Sequence, residues 1–150
     1  MVDQVANQTP AKKKQVPVQT GLFYQPQSAA EKPYLIGARC RQCGYISFPK
    51  VLICPRCMKK DTMEETHFGA KGKIDTFSTC NAALPGFPTP TIQAYINLDE
   101  GARIWSQITG TDMTGKDLKI GMDVELVIDK LREERDGTEI VSYKYRPTGK

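Results

Sequence analysis

The chain has little of what most enzymes need. His67 is its only histidine and Trp105 its only tryptophan in 150 residues. A Gly-rich phosphate loop and a Gly-x-Ser-x-Gly nucleophile elbow are both missing, so no catalytic centre of its own is expected. No apolar run approaches the roughly 18 residues that cross a bilayer as a helix. The first twenty residues are polar, carry consecutive lysines at 12, 13 and 14, and contain no apolar segment of signal-peptide length; a cytoplasmic protein is expected. The C-terminal half also lacks a charge excess. Residues 69–150 hold 11 Lys or Arg against 12 Asp or Glu, while residues 1–68 hold 10 against 5. A near-neutral region has no electrostatic surplus to hold a phosphate backbone, which argues against nucleic acid as its partner.

What the chain does have is five cysteines, four of them in two Cys-x-x-Cys pairs: Cys40 and Cys43, then Cys54 and Cys57, with ten residues between the inner two. Two intervening residues let both sulfurs of a turn point at one ion, and two such turns supply a tetrahedral tetrathiolate site. Gly44 follows the first pair and can take a positive φ; Pro55 stiffens the second. A disulfide framework would call for an even cysteine count and a secretory context. A redox Cys-x-x-Cys would stand alone beside a βαβ pattern. The reading is therefore structural Zn2+, since four sulfurs leave no position open for a catalytic water. Four thiolates and one dication lower the formal charge of +4 to about +2. Between the pairs, Tyr45 to Ile53 is apolar enough for two short strands or a hairpin.

Residues 1–33, rich in Gln, Ala, Pro and Lys, read as a flexible arm. The sharper alternative is that Leu22 to Tyr24 anchor this arm on a partner. Residues 34–68 read as the zinc ribbon, and 69–147 as a barrel. Alternation places Ile92, Ala94, Ile96 and Leu98 on one face, Ile104, Ser106 and Ile108 on a second, Met122, Val124, Leu126 and Ile128 on a third, and Val141, Tyr143 and Tyr145 on a fourth. With a weaker strand over 72–81, that makes five. Asp99-Glu-Gly101 and Asp136-Gly137 signal tight turns, and Gly110 to Gly121 is the long link of an OB-type Greek key. The fold class is mainly β: a zinc ribbon, then a five-stranded OB-fold barrel.

Candidate contacts follow from this layout. Leu84 and Phe87 tip a proline-stiffened loop and lose little entropy on docking. Tyr95 and Trp105 fall on outward faces of adjacent strands, with Arg103 beside them. That trio suits a protein interface; the alternative is a stacking platform for single-stranded nucleic acid. Arg41, Lys50 and Arg56 lie in a ribbon without an acid between 39 and 60, and are candidates for the phosphates of coenzyme A or for an acidic partner face. Cys80 has no His, Lys or Asp nearby in sequence and reads as a small packed side chain; His67 is assigned no chemistry.

Cys40-x-x-Cys-Gly, Phe48-Pro49, Cys54-Pro-x-Cys57, Gly72-x-Ile74, Phe77, Leu98-Asp-Glu-Gly101, Ile120-Gly-Met122-x-Val124, Asp136-Gly137 and Tyr143-x-Tyr145-Arg146-Pro147, in this order, resemble the small acyl-CoA-associated proteins built from a rubredoxin-like zinc ribbon and an OB fold. The resemblance covers about residues 34 to 147. It implies a non-catalytic subunit in a hetero-oligomer with a thiolase-like catalytic partner, which supplies the nucleophilic cysteine and the histidines. Coenzyme A or acyl-CoA is then met only through that complex. The chain departs from the family pattern at its start, where the customary helical lead-in is replaced by the Gln- and Lys-rich arm.

Overall fold

The structure is a computed structural model that describes residues 13–148. Among the described residues ten strands form in chain order: β1 (Gln15–Pro17), β2 (Phe23–Tyr24), β3 (Tyr34–Cys40), β4 (Ile46–Ser47), β5 (Met63–Phe68), β6 (Lys71–Cys80), β7 (Thr91–Leu98), β8 (Arg103–Ile108), β9 (Asp123–Glu133) and β10 (Glu139–Pro147). Among the described residues no helix is long and apolar enough to cross a membrane.

The alternating segments form the barrel. β6, β7 and β8 make an antiparallel meander, β9 pairs with both β6 and β10, and Tyr145 of β10 meets Ile108 of β8 in parallel, so the sheet closes on itself. Closure satisfies the edges that five separate strands would expose. Ile74, Ile92, Ile96, Ile104, Ile108, Val124, Leu126, Val141 and Tyr145 are buried together inside. The long β8–β9 link contributes Leu118 to the same core.

The ribbon is a small sheet around β3, which pairs with β2, β4 and β5. It shares the barrel's core instead of building its own. Phe48 sits edge-on to Phe68 at 6.2 Å and to Tyr143 at 5.3 Å between ring centroids. The Tyr145 hydroxyl donates to the Gly69 carbonyl at 2.6 Å. Gly69 itself has φ +90°, and a Cβ there would come within 2.7 Å of Leu35, so the junction accepts only glycine without rearrangement.

Two expectations change. Of the arm over 1–33, residues 1–12 lie outside the described residues, while the remainder runs against the folded body: β1 pairs in parallel with β10, and the Val18 amide donates to the Val141 carbonyl at 2.8 Å. Leu22 to Tyr24 anchor the arm, but on this chain. Phe23 is buried against Tyr143, and Tyr24 stacks on Tyr34 at 4.9 Å; this packing already takes the Phe23 ring out of water. The segment Tyr45 to Ile53 yields only β4 and one isolated bridge, Ile53 to Lys60. Pro49 has no N–H with which to continue the β4 ladder, and Leu52 is left 86% exposed.

Candidate metal centre and docking face

Each Cys-x-x-Cys pair sits in a turn of the same construction. The Gly44 amide donates to the Cys40 carbonyl and the Met58 amide to the Cys54 carbonyl, both at 2.9 Å. Such turns bring Cys40 Sγ to 3.7 Å from Cys57 Sγ and Cys43 Sγ to 3.6 Å from Cys54 Sγ, with all four ligand atoms within 4.8 Å of one another. A tetrahedron with metal–sulfur bonds of about 2.3 Å has edges of about 3.75 Å. The four sulfurs therefore fit one tetrahedral ion. A hydrogen bond with Thr62, followed by the amides of Cys43 and Gln42, holds the Cys40 thiol down to about 6. Burial opposes ionisation of Cys54, but the Cys57 and Arg56 amides prevail and bring it below the ordinary thiol value. These contacts favour thiolate, the form that binds metal, at Cys40 and Cys54; at Cys43 the Tyr45 amide is outweighed by burial and the neighbouring sulfurs, which push the thiol up to about 11.

The ribbon's cations are less available than their sequence density suggests. Arg41 lies 3.4 Å from Glu64 and also donates to the Asp61 carbonyl; Lys50 lies 2.9 Å from Glu65. The Lys50 contact, joined by His67, holds the Glu65 carboxyl below the usual carboxylate range. β3 and β5 pair in antiparallel register, and this brings the acids of a distant segment beside the basic one. Arg56 instead lines a groove of about 450 Å3 at the junction of ribbon and barrel, whose opposite wall includes Arg103. His67 stacks on Tyr34 at 4.3 Å, and Cys80 Sγ donates to the Ala82 carbonyl at 3.1 Å. Both are absorbed by local structure.

Tyr95 and Trp105 are cross-strand partners on the outer face of β7 and β8, 45% and 44% exposed. Arg103 places its guanidinium 4.4 Å from the Tyr95 ring centroid and is ion-paired to Asp75. Thus the three residues do converge. The cation over the Tyr95 ring is neutralised by a carboxylate, which weakens a phosphate-binding platform and leaves an exposed aromatic pair. Two residue pairs further along, and so on the same face, Gln93 faces Gln107. These glutamines share a hollow of about 220 Å3 with Leu84, Phe87 and Leu131. Arg132 lies over the Phe87 ring at 5.4 Å. A single face thus runs from the aromatic pair to the loop tip. Strand alternation puts Gln93 and Gln107 outward; no local pattern places Leu131 and Arg132 here, because only barrel closure carries the end of β9 to the β6–β7 loop.

Residues 27–64 match the ChsH2 rubredoxin-like zinc ribbon domain, and residues 65–129 the ChsH2 C-terminal OB-fold domain. The chain is 40% identical over 116 residues to a DUF35 domain-containing scaffold protein of Methanothermobacter thermautotrophicus, covering 75% of this chain and 86% of that one. It is 32% identical over 146 residues to the benzoylsuccinyl-CoA thiolase subunit BbsA of Thauera aromatica, covering 97% of this chain and 99% of the relative. Among solved structures, the Ltp2-ChsH2(DUF35) aldolase aligns with a TM-score of 0.60 at 24% identity, over 77% of this chain and 86% of that chain. That likeness concerns the fold.

Proposed function

The chain belongs to the DUF35 family of ChsH2-type proteins, in which a rubredoxin-like zinc ribbon precedes an OB fold, and we propose that it is the non-catalytic accessory subunit of a thiolase-type acyl-CoA enzyme. Its outer β7–β8 face and the loop bearing Leu84 and Phe87 dock on the thiolase-fold subunit and shape the channel for the acyl-CoA. Zn2+ is the ion held by Cys40, Cys43, Cys54 and Cys57, in a structural role. The observation that carries the reading is the assembled aromatic face: exposed tyrosine and tryptophan on a rigid barrel, electrostatically balanced, in a chain whose near full-length relative is named as a thiolase subunit. Interfaces are enriched in such side chains and depleted of unpaired charge at their centres.

Co-expression with a thiolase-fold protein, sought first among the neighbours of its gene, gives a stoichiometric complex whose thiolytic activity neither chain has alone. The relative from T. aromatica makes 2-benzoylsuccinyl-CoA the first substrate to assay. Trp105→Ala and Leu84→Asp each weaken the complex by about tenfold or more, the effect of removing an interface anchor. A monodisperse lone chain beside a fully active lone thiolase refutes the proposal. So does salt-sensitive binding of oligonucleotides lost in Trp105→Ala, which is the signature of a single-strand binder.

A further inference from the structure

The two knuckles of the metal site have the same backbone and different side chains at one position. In the first, the residue after the second cysteine is Gly44, with φ +76°; in the second it is Met58, with φ +59°. The left-handed region disfavours a side chain with a Cβ, and Gly44 shows what the turn itself prefers. Yet Met58 is 72% exposed, so it contributes little to the ribbon's own packing. Leu52, 86% exposed, and Ile53, 42% exposed, lie on the same stretch. Three apolar side chains thus stand out on a loop held rigid by metal ligands. A backbone outlier that serves no internal packing points to an external use.

The surroundings say what kind of occupant fits. Arg56, Lys59 and Lys60 are exposed around this tip, and the segment from Arg39 to Lys60 contains no acid. A second copy of the chain would set these cations against one another, which disfavours self-association. Arg56 also lines the junction groove, whose barrel wall carries Glu100 and Arg103, so this groove joins the base of the tip to the strand that bears Trp105. We infer that Leu52, Ile53 and Met58 form a second contact with the same catalytic subunit, inserting into an apolar pocket rimmed by carboxylates. This rests on the docking proposed above, and it gives the metal a specific role, that of ordering the knuckle which presents these side chains.

The photo-crosslinking residue p-benzoylphenylalanine, placed at position 52, 58 or 105 of the full chain in the cells that express it, tests this. Positions 52 and 58 label the same polypeptide as position 105, at peptides that carry Asp or Glu. The double variant Lys59→Glu, Lys60→Glu lowers the yield from position 52 about tenfold, as like charges at an interface do. Met58→Gly relieves the backbone and keeps its metal, yet weakens the complex about fivefold, the opposite of what a purely structural residue would do. Labelling of another copy of the chain, of lipid, or of nothing from positions 52 and 58 overturns the inference. Labelling from 52 and 58 without labelling from 105 leaves this contact standing and removes the β7–β8 face instead.

Discussion

The ribbon and the barrel solve the same problem with different materials. The barrel encloses Ile74, Ile92, Ile96, Ile104, Ile108, Val124 and Leu126 between closed strands, and each such side chain contributes about 1.5–3 kcal/mol by leaving water. The ribbon has far less to enclose: Leu35, Ala38 and Phe68, with Cys40 and Cys54 buried beside them. Its largest rings are few and lean on the barrel: Phe48 meets Phe68 of the ribbon and Tyr143 of the barrel. A sheet this small is not stable on apolar burial alone, so its two knuckles depend on a metal for what the barrel obtains from its core. The difference reaches the surface. The barrel exposes Tyr95 and Trp105 on its outer strands without risk to its interior, whereas the ribbon exposes Leu52, Ile53 and Met58 on the stretch around Cys54 and Cys57.

Removal of the metal breaks this contrast most sharply. Metal binding supplies about 10 kcal/mol or more in small zinc modules. On verified chelation, amides of β3, β4 and β5 lose hydrogen-exchange protection while those of β7 and β8 keep theirs. Equal loss throughout would show that the ribbon and barrel unfold as one unit. Next in size is Ile96→Ala, a fully buried truncation in the middle of β7. It lowers stability by about 2–5 kcal/mol in urea titration and leaves zinc stoichiometry unchanged.

Tyr145→Phe probes the seam between the two regions. It deletes the hydrogen bond to the Gly69 carbonyl and costs about 1 kcal/mol in thermal or urea unfolding. The same residue contributes to the alkaline limit, as does Tyr143, whose hydroxyl burial also pushes up. Burial pushes the Tyr145 hydroxyl far above its ordinary value of 10.0, so the folded chain keeps the proton after the unfolded chain has released it. Stability is full below about pH 10 and falls as the pH rises above it; the fall is shallower in Tyr145→Phe. The smallest effect belongs to the ribbon surface. Lys50→Ala removes an exposed pair with Glu65 and leaves the melting temperature unchanged within error, because solvent already screens it.

The parts legible in the sequence are those governed by near neighbours along the chain. Two residues between cysteines set a knuckle whatever the rest of the fold does, and Ile92, Ala94, Ile96 and Leu98 alternate because a strand alternates. Tyr95 and Trp105 could be placed outward on the same grounds. Distant segments are another matter. The neutralisation of Arg41 and Lys50 depends on the register of β3 against β5, which no local pattern specifies. Phe23 reads as a loose apolar residue until β2 pairs with β3 and turns its ring toward Tyr143. Arg132 meets Phe87 only because the barrel closes.

By itself, then, the order of residues determined that four thiolates can converge on one ion, which faces of the strands are apolar, and where the turns fall. These are short-range consequences of covalent spacing and side-chain periodicity. Only the tertiary structure decided that the ribbon borrows the barrel's core, that its acids silence two of its cations, and that Met58 and Leu52 remain in water beside Arg56. Those outcomes depend on which segments meet across long stretches of chain, and it is closure of the sheets that selects the meeting.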